Sequence, residues 1–246
     1  MLKALIFDVD GTLADTEAAH RAAFNEAFAQ EGMDWHWDLP LYTQLLQVSG
    51  GKERMLHYWK STRSSVRDID GTGVQDTLNR LHERKTAAYE AMVNGGAVCL
   101  RPGVLDLINA AGKAGLMMAI ATTTSPVNIA ALLRSALGKD WPHAFSVIED
   151  ASTAPLKKPH PQAYLQTLQR LRLPASQCLA FEDSANGLQA ATGAGLATVV
   201  TPNSFTAQHD FSGALRVLPD LTGTTVAQLR AWHAEAMAPQ TAPVRI

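Results

Sequence analysis

The sequence has little cysteine: Cys99 and Cys178 lie far apart and form no CxxC pair. That excludes a secreted disulfide framework and a cysteine-based metal site. An excess of one charge is also missing. Twenty-one Lys and Arg stand against 23 Asp and Glu, a formal charge of −2. The balance offers no basic surplus for nucleic acid and no pull toward an anionic membrane. No apolar run approaches the roughly 18 residues that span a bilayer. Only the four apolar residues Ala4 to Phe7 separate Lys3 from Asp8, too few for a signal-peptide core. Repeats and low-complexity tracts are absent as well. The composition, 46% hydrophobic and 18% charged, is that of an ordinary globular chain. The expectation is a soluble, cytoplasmic, monomeric protein without nucleic-acid or membrane partners.

What is present is a rhythm. Ala4-Leu5-Ile6-Phe7 reads as a strand covered on both faces, broken at Gly11. From about residue 101 helix and strand alternate. Pro102-Gly103 opens a helix with Val104, Leu107, Ile108 and Ala111 on one stripe, and 116–121 is an apolar strand. A helix from Pro126, a short strand over 145–148, a helix over 161–171 and a strand over 178–181 follow. A small-residue helix over 184–192, a strand over 196–200 and a weak strand over 215–218 complete the pattern. Such alternation predicts a doubly wound, Rossmann-like α/β core with a parallel sheet. Residues 16–95 break the rhythm and read as helical throughout. The expected organisation is therefore a core of 1–15 and 96–246 with an inserted helical cap of 16–95. Its hinges are expected near Ala14-Asp15 and Asn94-Gly95-Gly96, and 238–246 is expected to fray.

Ligands on open parallel sheets bind beyond the carboxyl ends of the strands. The polar residues at those ends are Asp8 and Asp10, then Thr122, then Glu182 and Asp183, with Lys158 in a loop reaching the same rim. Crowded carboxylates need a cation or a shared proton. Oxygen ligands without clustered His or Cys favour Mg²⁺ over Zn²⁺. A lysine and a threonine beside such a cation suit a phosphate group. Asp8 can then attack phosphorus as nucleophile. Asp10 can protonate the leaving oxygen and later deprotonate water.

These residues carry a family resemblance. Asp8-Val9-Asp10-Gly11-Thr12-Leu13 resembles the first motif, DxDGT, of the haloacid dehalogenase-like phosphatases. Thr122 resembles their second motif, Lys158 in Lys157-Lys158-Pro159 the third and Glu182-Asp183-Ser184 the fourth. All four stand in order, and the resemblance spans essentially the whole chain. It implies an aspartyl-phosphate on Asp8 and Mg²⁺ held by Asp8, the Asp10 carbonyl and Asp183 with help from Glu182. It further implies phosphate binding by Thr122, Thr123 and Lys158, and a mobile helical cap that excludes water.

Finer features are similar to the CbbY-type sugar phosphatases: Asp15-Thr16-Glu17 followed by His20, the 34–38 stretch, Ser49-Gly50-Gly51-Lys52-Glu53-Arg54 and the 121–125 run. That likeness implies hydrolysis of xylulose-1,5-bisphosphate, an inhibitory by-product of Rubisco. Lys52 and Arg54 would meet the second phosphate. Glu17 and His20 would face sugar hydroxyls, with Tyr42 nearby. One departure is the loop before Lys158. Glu149-Asp150-Ala151-Ser152 replaces the family's Gly-Asp turn, Pro155 intervenes, and His160 and Gln162 replace small polar and acidic residues.

Plainer readings compete. His20, four residues before Phe24, also suits a core or hinge histidine; Lys52 and Arg54 suit exposed helix-start charges; Lys157 reads as a solvated lysine. Trp35 and Trp37 read as cap packing, and Asn186 and Gly187 as helix and close-packing residues. Three rival functions share parts of the pattern: a β-phosphoglucomutase-type phosphotransferase or a phosphatase for another small metabolite, a phosphonoacetaldehyde hydrolase, and a non-catalytic metabolite-binding regulator. Asp10 argues against the hydrolase, whose first motif lacks the second aspartate. Intact Asp8 and Asp10 argue against the regulator.

Overall fold

The computed structural model describes residues 1–62 and 72–238. Six parallel strands form one sheet in the order β3-β2-β1-β4-β5-β6. They are β1 (Ala4–Phe7), β2 (Met117–Ala121), β3 (Val147–Glu149), β4 (Cys178–Glu182), β5 (Ala197–Val200) and β6 (Arg216–Val217). This is the doubly wound order, and it reverses direction between β1 and β4, where a ligand crevice opens beyond the strand ends. The register sets Phe7 opposite Ile120 on one side and Phe181 on the other, so residues following β1, β2 and β4 emerge together.

Period-two alternation divides the apolar side chains between two layers. Leu5, Phe7, Ile120, Leu179 and Phe181 face one cluster, whereas Ala4, Ile6, Ala119, Ala121 and Ala180 face the other. The first face is covered by α5 (Val104–Lys113), α6 (Pro126–Leu137) and α9 (Val226–Met237), the second by α7 (Gln162–Leu171) and α8 (Ala185–Gly193). Local signals start these helices. Ser125 caps α6 on the amide of Asn128 with Pro126 in the first turn, and Ser184 caps α8 on the amide of Gly187. The sequence reading left α9 unassigned, yet Thr225 and Gln228 form a capping box at its start. The strand expected over 145–148 begins two residues later because Trp141–Ala144 closes a 3-10 turn first.

Between β1 and α5 lie α1 (Glu17–Gln30), α2 (Leu39–Leu45), α3 (Gly51–Thr62) and α4 (Thr72–Asn94). Among the described residues of this stretch no strand occurs; residues 63–71 of it, like 239–246 of the C-terminal end, lie outside them. Phe24, Phe28, Trp35, Trp37, Tyr42 and Met55 build a separate aromatic core there. Trp35 and Trp37 are part of that packing. The lower turns of α1 and α4 belong instead to the sheet's own cluster through Ala19, Ala23, Tyr89 and Val93. A bridge between Ala14 and Leu100 holds the two connecting segments side by side. No helix among the described residues is long and apolar enough to cross a membrane.

Gly103 shows how tightly the connection after Leu100 is seated. Its φ is +80°, and a Cβ there would lie 2.1 Å from the carbonyl carbon of Leu221. Both the left-handed backbone and the facing main chain exclude a side chain. Gly103→Ala is expected to cost at least about 2 kcal/mol, lowering Tm by roughly 5 °C or more. An unchanged melting temperature would contradict this packing.

Candidate active site

A cavity of about 330 Å³ lies where the sheet's carboxyl edge meets the helical block. Asp8, Asp10, Thr122, Thr123, Lys158, Glu182 and Asp183 line it from the sheet; Glu17, His20, Lys52 and Arg54 line it from the helices. The structure thus gathers every residue proposed from sequence around one space except Tyr42.

At the centre is a buried ammonium. Lys158 Nζ donates to Asp8 Oδ1 and to Glu182 Oε1, each at 2.6 Å. Tyr164 on α7 adds a hydroxyl donor to the same Glu182 oxygen. Burial alone would neutralise Lys158, but Asp8 and Glu182 outweigh it and raise its pKa. Burial pushes the Asp8 carboxyl up to about 7, against the pull of Lys158 and with the repulsion of Glu182. Asp183 is raised well above the usual carboxylate range by burial, then by Asp8 and Glu182. Oxygens of Asp8, Glu182 and Asp183 all lie within 4.8 Å of one another. Three carboxylates crowd around one ammonium, a deficit of positive charge that shows in the raised pKa values of Asp8 and Asp183. An oxygen-only cluster with that deficit fits a hard divalent cation.

Asp10 has a different environment. His20 Nε2 stands 3.0 Å from Asp10 Oδ1, and His20 Nδ1 stands 2.8 Å from Lys85 Nζ. An ammonium can only donate, so the Lys85 contact assigns the lone pair to Nδ1 and the proton to Nε2, facing Asp10. Burial works against ionisation of Asp10, yet the His20 hydrogen bond and the positive charge of the His20–Lys85 pair prevail and hold its carboxyl below the usual range. His20 also stacks on Tyr89, with ring centroids 4.1 Å apart. It is a buried histidine that also lines the cavity, so the core reading and the site reading both describe it.

Several placements differ from the sequence reading. Tyr42 is fully buried behind the cavity wall. Its hydroxyl donates to Glu17 at 2.6 Å and accepts from Arg54 at 3.1 Å, so it braces two lining residues instead of meeting a ligand. Arg54 spends Nε on the carbonyls of Leu45 and Val48. Lys52 is exposed and pairs with Asn79 at 2.8 Å. Lys157 is half-buried and lines the cavity, with Nζ 3.5 Å from the Thr123 carbonyl. A turn closed by His160 N on Lys157 O keeps it at the rim with Lys158. Asn186 likewise lines the cavity and donates across it to the Gln47 carbonyl and Ser49 hydroxyl, at 2.9 and 3.2 Å. Gly187 does pack closely, since a Cβ there would lie 1.9 Å from Glu182 Oε2.

The altered loop before Lys158 keeps its form by other bonds. Asp150 Oδ1 accepts from the Ser152 amide and hydroxyl at 2.7 and 2.6 Å, an Asx turn. Gln162 Oε1 accepts from the Leu156 amide at 2.8 Å. Sequence reasoning missed Lys85, although a signal existed: it continues the buried stripe of Leu78, Leu81 and Tyr89 on α4. A lysine on the apolar face of a helix is seldom idle.

The profile of the haloacid dehalogenase-like hydrolases matches residues 2–195. The plasmid-encoded CbbY protein of Cupriavidus necator is 52% identical, over 94% of this chain and 97% of that protein. Two crystal structures of CbbY from Rhodobacter sphaeroides are each 40% identical. One, in complex with phosphate, covers 94% of this chain and 100% of that one with a TM-score of 0.85. The other, an Asp-to-Asn variant in complex with xylulose-1,5-bisphosphate, covers 93% and 99% with a TM-score of 0.86.

Burial lowers the Lys85 pKa from 10.5 to about 8, a cost only partly offset by Asp10. Between those two values the unfolded chain binds the extra proton, so stability rises with pH there; below about 8 the full penalty persists. Lys85→Met is therefore expected to raise Tm at pH 7 while lowering activity, through relief of a penalty on the order of 3 kcal/mol. The gap in Tm should narrow as pH rises above 8. A variant less stable than the parent at pH 7 would overturn this account.

Proposed function

We propose that this chain, which belongs to the haloacid dehalogenase-like hydrolase family, is a phosphatase that converts xylulose-1,5-bisphosphate to xylulose-5-phosphate. The observation that carries the substrate class is the polarity of the cavity. Beside the carboxylates and Lys158, its lining includes four more cationic side chains, Lys52, Arg54, Lys85 and Lys157. A monophosphate is served by Lys158 and the motif residues alone, whereas a second phosphate gives the further cations a partner. The likeness to a CbbY protein seen with xylulose-1,5-bisphosphate supports that ligand over other bisphosphates.

In this reading Mg²⁺ would be held by Asp8, the Asp10 carbonyl and Asp183, with Glu182 beside them. When bound it supplies positive charge to the phosphoryl oxygens. The residues of the chain do the rest. Thr122, the Thr123 backbone and Lys158 hold the phosphoryl group. An Asp8 oxygen attacks phosphorus, the bond from phosphorus to the sugar oxygen breaks, and Asp10 gives that oxygen its proton. His20 Nε2 passes its proton to Asp10 as Lys85 Nζ gives one to Nδ1, so the ring stays neutral throughout. Water then attacks the aspartyl-phosphate, Asp10 takes its proton, and inorganic phosphate leaves with Asp8 restored. Glu17 orients sugar hydroxyls, and the helical block, as a cap, keeps bulk water out. Cations that meet the second phosphate do not touch the bond that breaks, so their binding energy serves positioning and selectivity.

Three measurements test this. Asp8→Asn is expected to abolish phosphate release while the fold persists, and retained turnover would remove Asp8 as nucleophile. A panel of xylulose-1,5-bisphosphate, ribulose-1,5-bisphosphate, fructose-1,6-bisphosphate, β-glucose-1-phosphate and phosphoglycolate is expected to show a preference of about a hundredfold in kcat/KM for the first. In a Lys52→Met, Lys157→Met double variant that preference should collapse while monophosphate activity stays. A preference for a monophosphate, or equal losses on both classes, would discard the bisphosphate reading. Slow aspartyl-phosphate hydrolysis with β-glucose-1-phosphate favoured would instead mark a phosphotransferase.

A further inference from the structure

Behind Asp183 lies a second arrangement, built from residues that no motif contains. Arg101 is a buried arginine whose guanidinium gathers main-chain oxygens from three separate segments. Nη1 donates to the Gly11 carbonyl at 2.6 Å, to the Thr201 carbonyl and to the Thr201 hydroxyl at 3.0 Å. Nη2 donates to the carbonyls of Pro202 and Pro219 at 2.8 and 3.2 Å. Its own amide bonds the Leu13 carbonyl at 2.9 Å. The Asp15 carboxylate, 3.3 Å from Nε, is largely in solvent and adds little. Arg101 thus ties the turn that follows Asp10 to the turn that follows β5.

The second turn reaches the carboxylate cluster through one side chain. Asn203 Nδ2 donates to Asp183 Oδ2 at 2.8 Å. The amide cannot flip freely, because its Oδ1 accepts from the Phe205 amide at 2.9 Å. The Asn203 amide is held in turn by the Thr206 hydroxyl at 3.0 Å. On the opposite side Gly11 leaves just enough room: a Cβ there would lie 2.3 Å from Asp183 Oδ2 and 2.7 Å from Asn203 Nδ2. Asp183 is therefore clamped between two turns whose spacing Arg101 sets.

We propose that Arg101 and Asn203 are coupled positioning residues for Asp183, fixing the rotation of its carboxylate toward the cation. The inference rests on the reading of Asp183 as a metal ligand and extends it to the residues that orient it. Outer partners of this kind typically change metal affinity tenfold to a hundredfold.

The test is Mg²⁺ binding by titration calorimetry, with Tm measured alongside, on the full-length parent and five variants. Asp183→Asn should abolish binding; if it does not, the metal reading fails and the proposal with it. Given that loss, Asn203→Ala should weaken Mg²⁺ binding about tenfold. Asn203→Asp, which keeps the shape but replaces the donor with a like charge, should weaken it further. Arg101→Lys should weaken it to a similar degree as Asn203→Ala, and adding Arg101→Lys to Asn203→Ala should cost little more, because both act on one carboxylate. Should Arg101→Lys fail to fold, the order parent, Asn203→Ala, Asn203→Asp decides alone, since Asn203 lies in a surface turn. Unchanged affinity in both Asn203 variants would overturn the proposal, and additive losses in the double variant would overturn the coupling.

Discussion

The constraint on which the rest of the structure depends is the sharing of one buried ammonium, Lys158, by Asp8 and Glu182. Both partners must arrive at the same place from strands far apart in the chain, and the parallel pairing of β1 with β4 brings them there. Everything around the pair is arranged to tolerate it. Tyr164 satisfies the Glu182 oxygen that Lys158 already shares, and Gly187 opens the first turn of α8 so that the carboxylate can fold beneath it. An isolated buried charge would cost several kcal/mol; here each has a partner, but the partners do not balance. Asp183 adds a third carboxylate to a pair that already exceeds its one ammonium, and that surplus suits the cluster to a divalent cation and, through it, to a phosphate.

The helical block answers with the opposite sign. His20 and Lys85 face Asp10, while Lys52 and Arg54 stand further along the same wall and Lys157 joins them from the sheet side. Two carboxylates separated by a single residue in sequence consequently have different surroundings: Lys158 and Glu182 contend over Asp8, and His20 commits Asp10 to its anion. The difference comes from packing, not from residue type.

Much of this was legible in the sequence because it is local. Short apolar runs, the Pro and Gly punctuation of the helices and residues at strand ends are written within a few positions of each other, and they gave the sheet and the carboxylate edge. Lys157, Tyr42 and Asn186 were misread because their surroundings come from elsewhere. Lys157 is drawn to the rim by a turn, Tyr42 is enclosed by its own aromatic core, and Asn186 reaches a loop of the helical block. Arg101 is the extreme case. The acceptors of its two terminal nitrogens lie ninety or more positions away in either direction along the chain, and nothing in Leu100-Arg101-Pro102 announces them. Lys85 stands between, betrayed only by its place on an apolar stripe.

The residues hardest to read share a property: each breaks a local rule that the remainder of the fold obeys. Lysine on a buried helix face, three carboxylates within one contact shell and an arginine enclosed by carbonyls are all unfavourable in isolation. They persist because the layers on both faces of the sheet are continuous and apolar, so the stability lost at one edge is recovered in the interior. That division also explains why the charged groups sit just past strand ends. A strand fixes the position of its last residue through pairing on both sides, yet beyond it the chain is free to turn a side chain into the crevice. Precision comes from the sheet and chemistry from the first residue outside it, and Asp8, Thr122 and Asp183 each occupy that position.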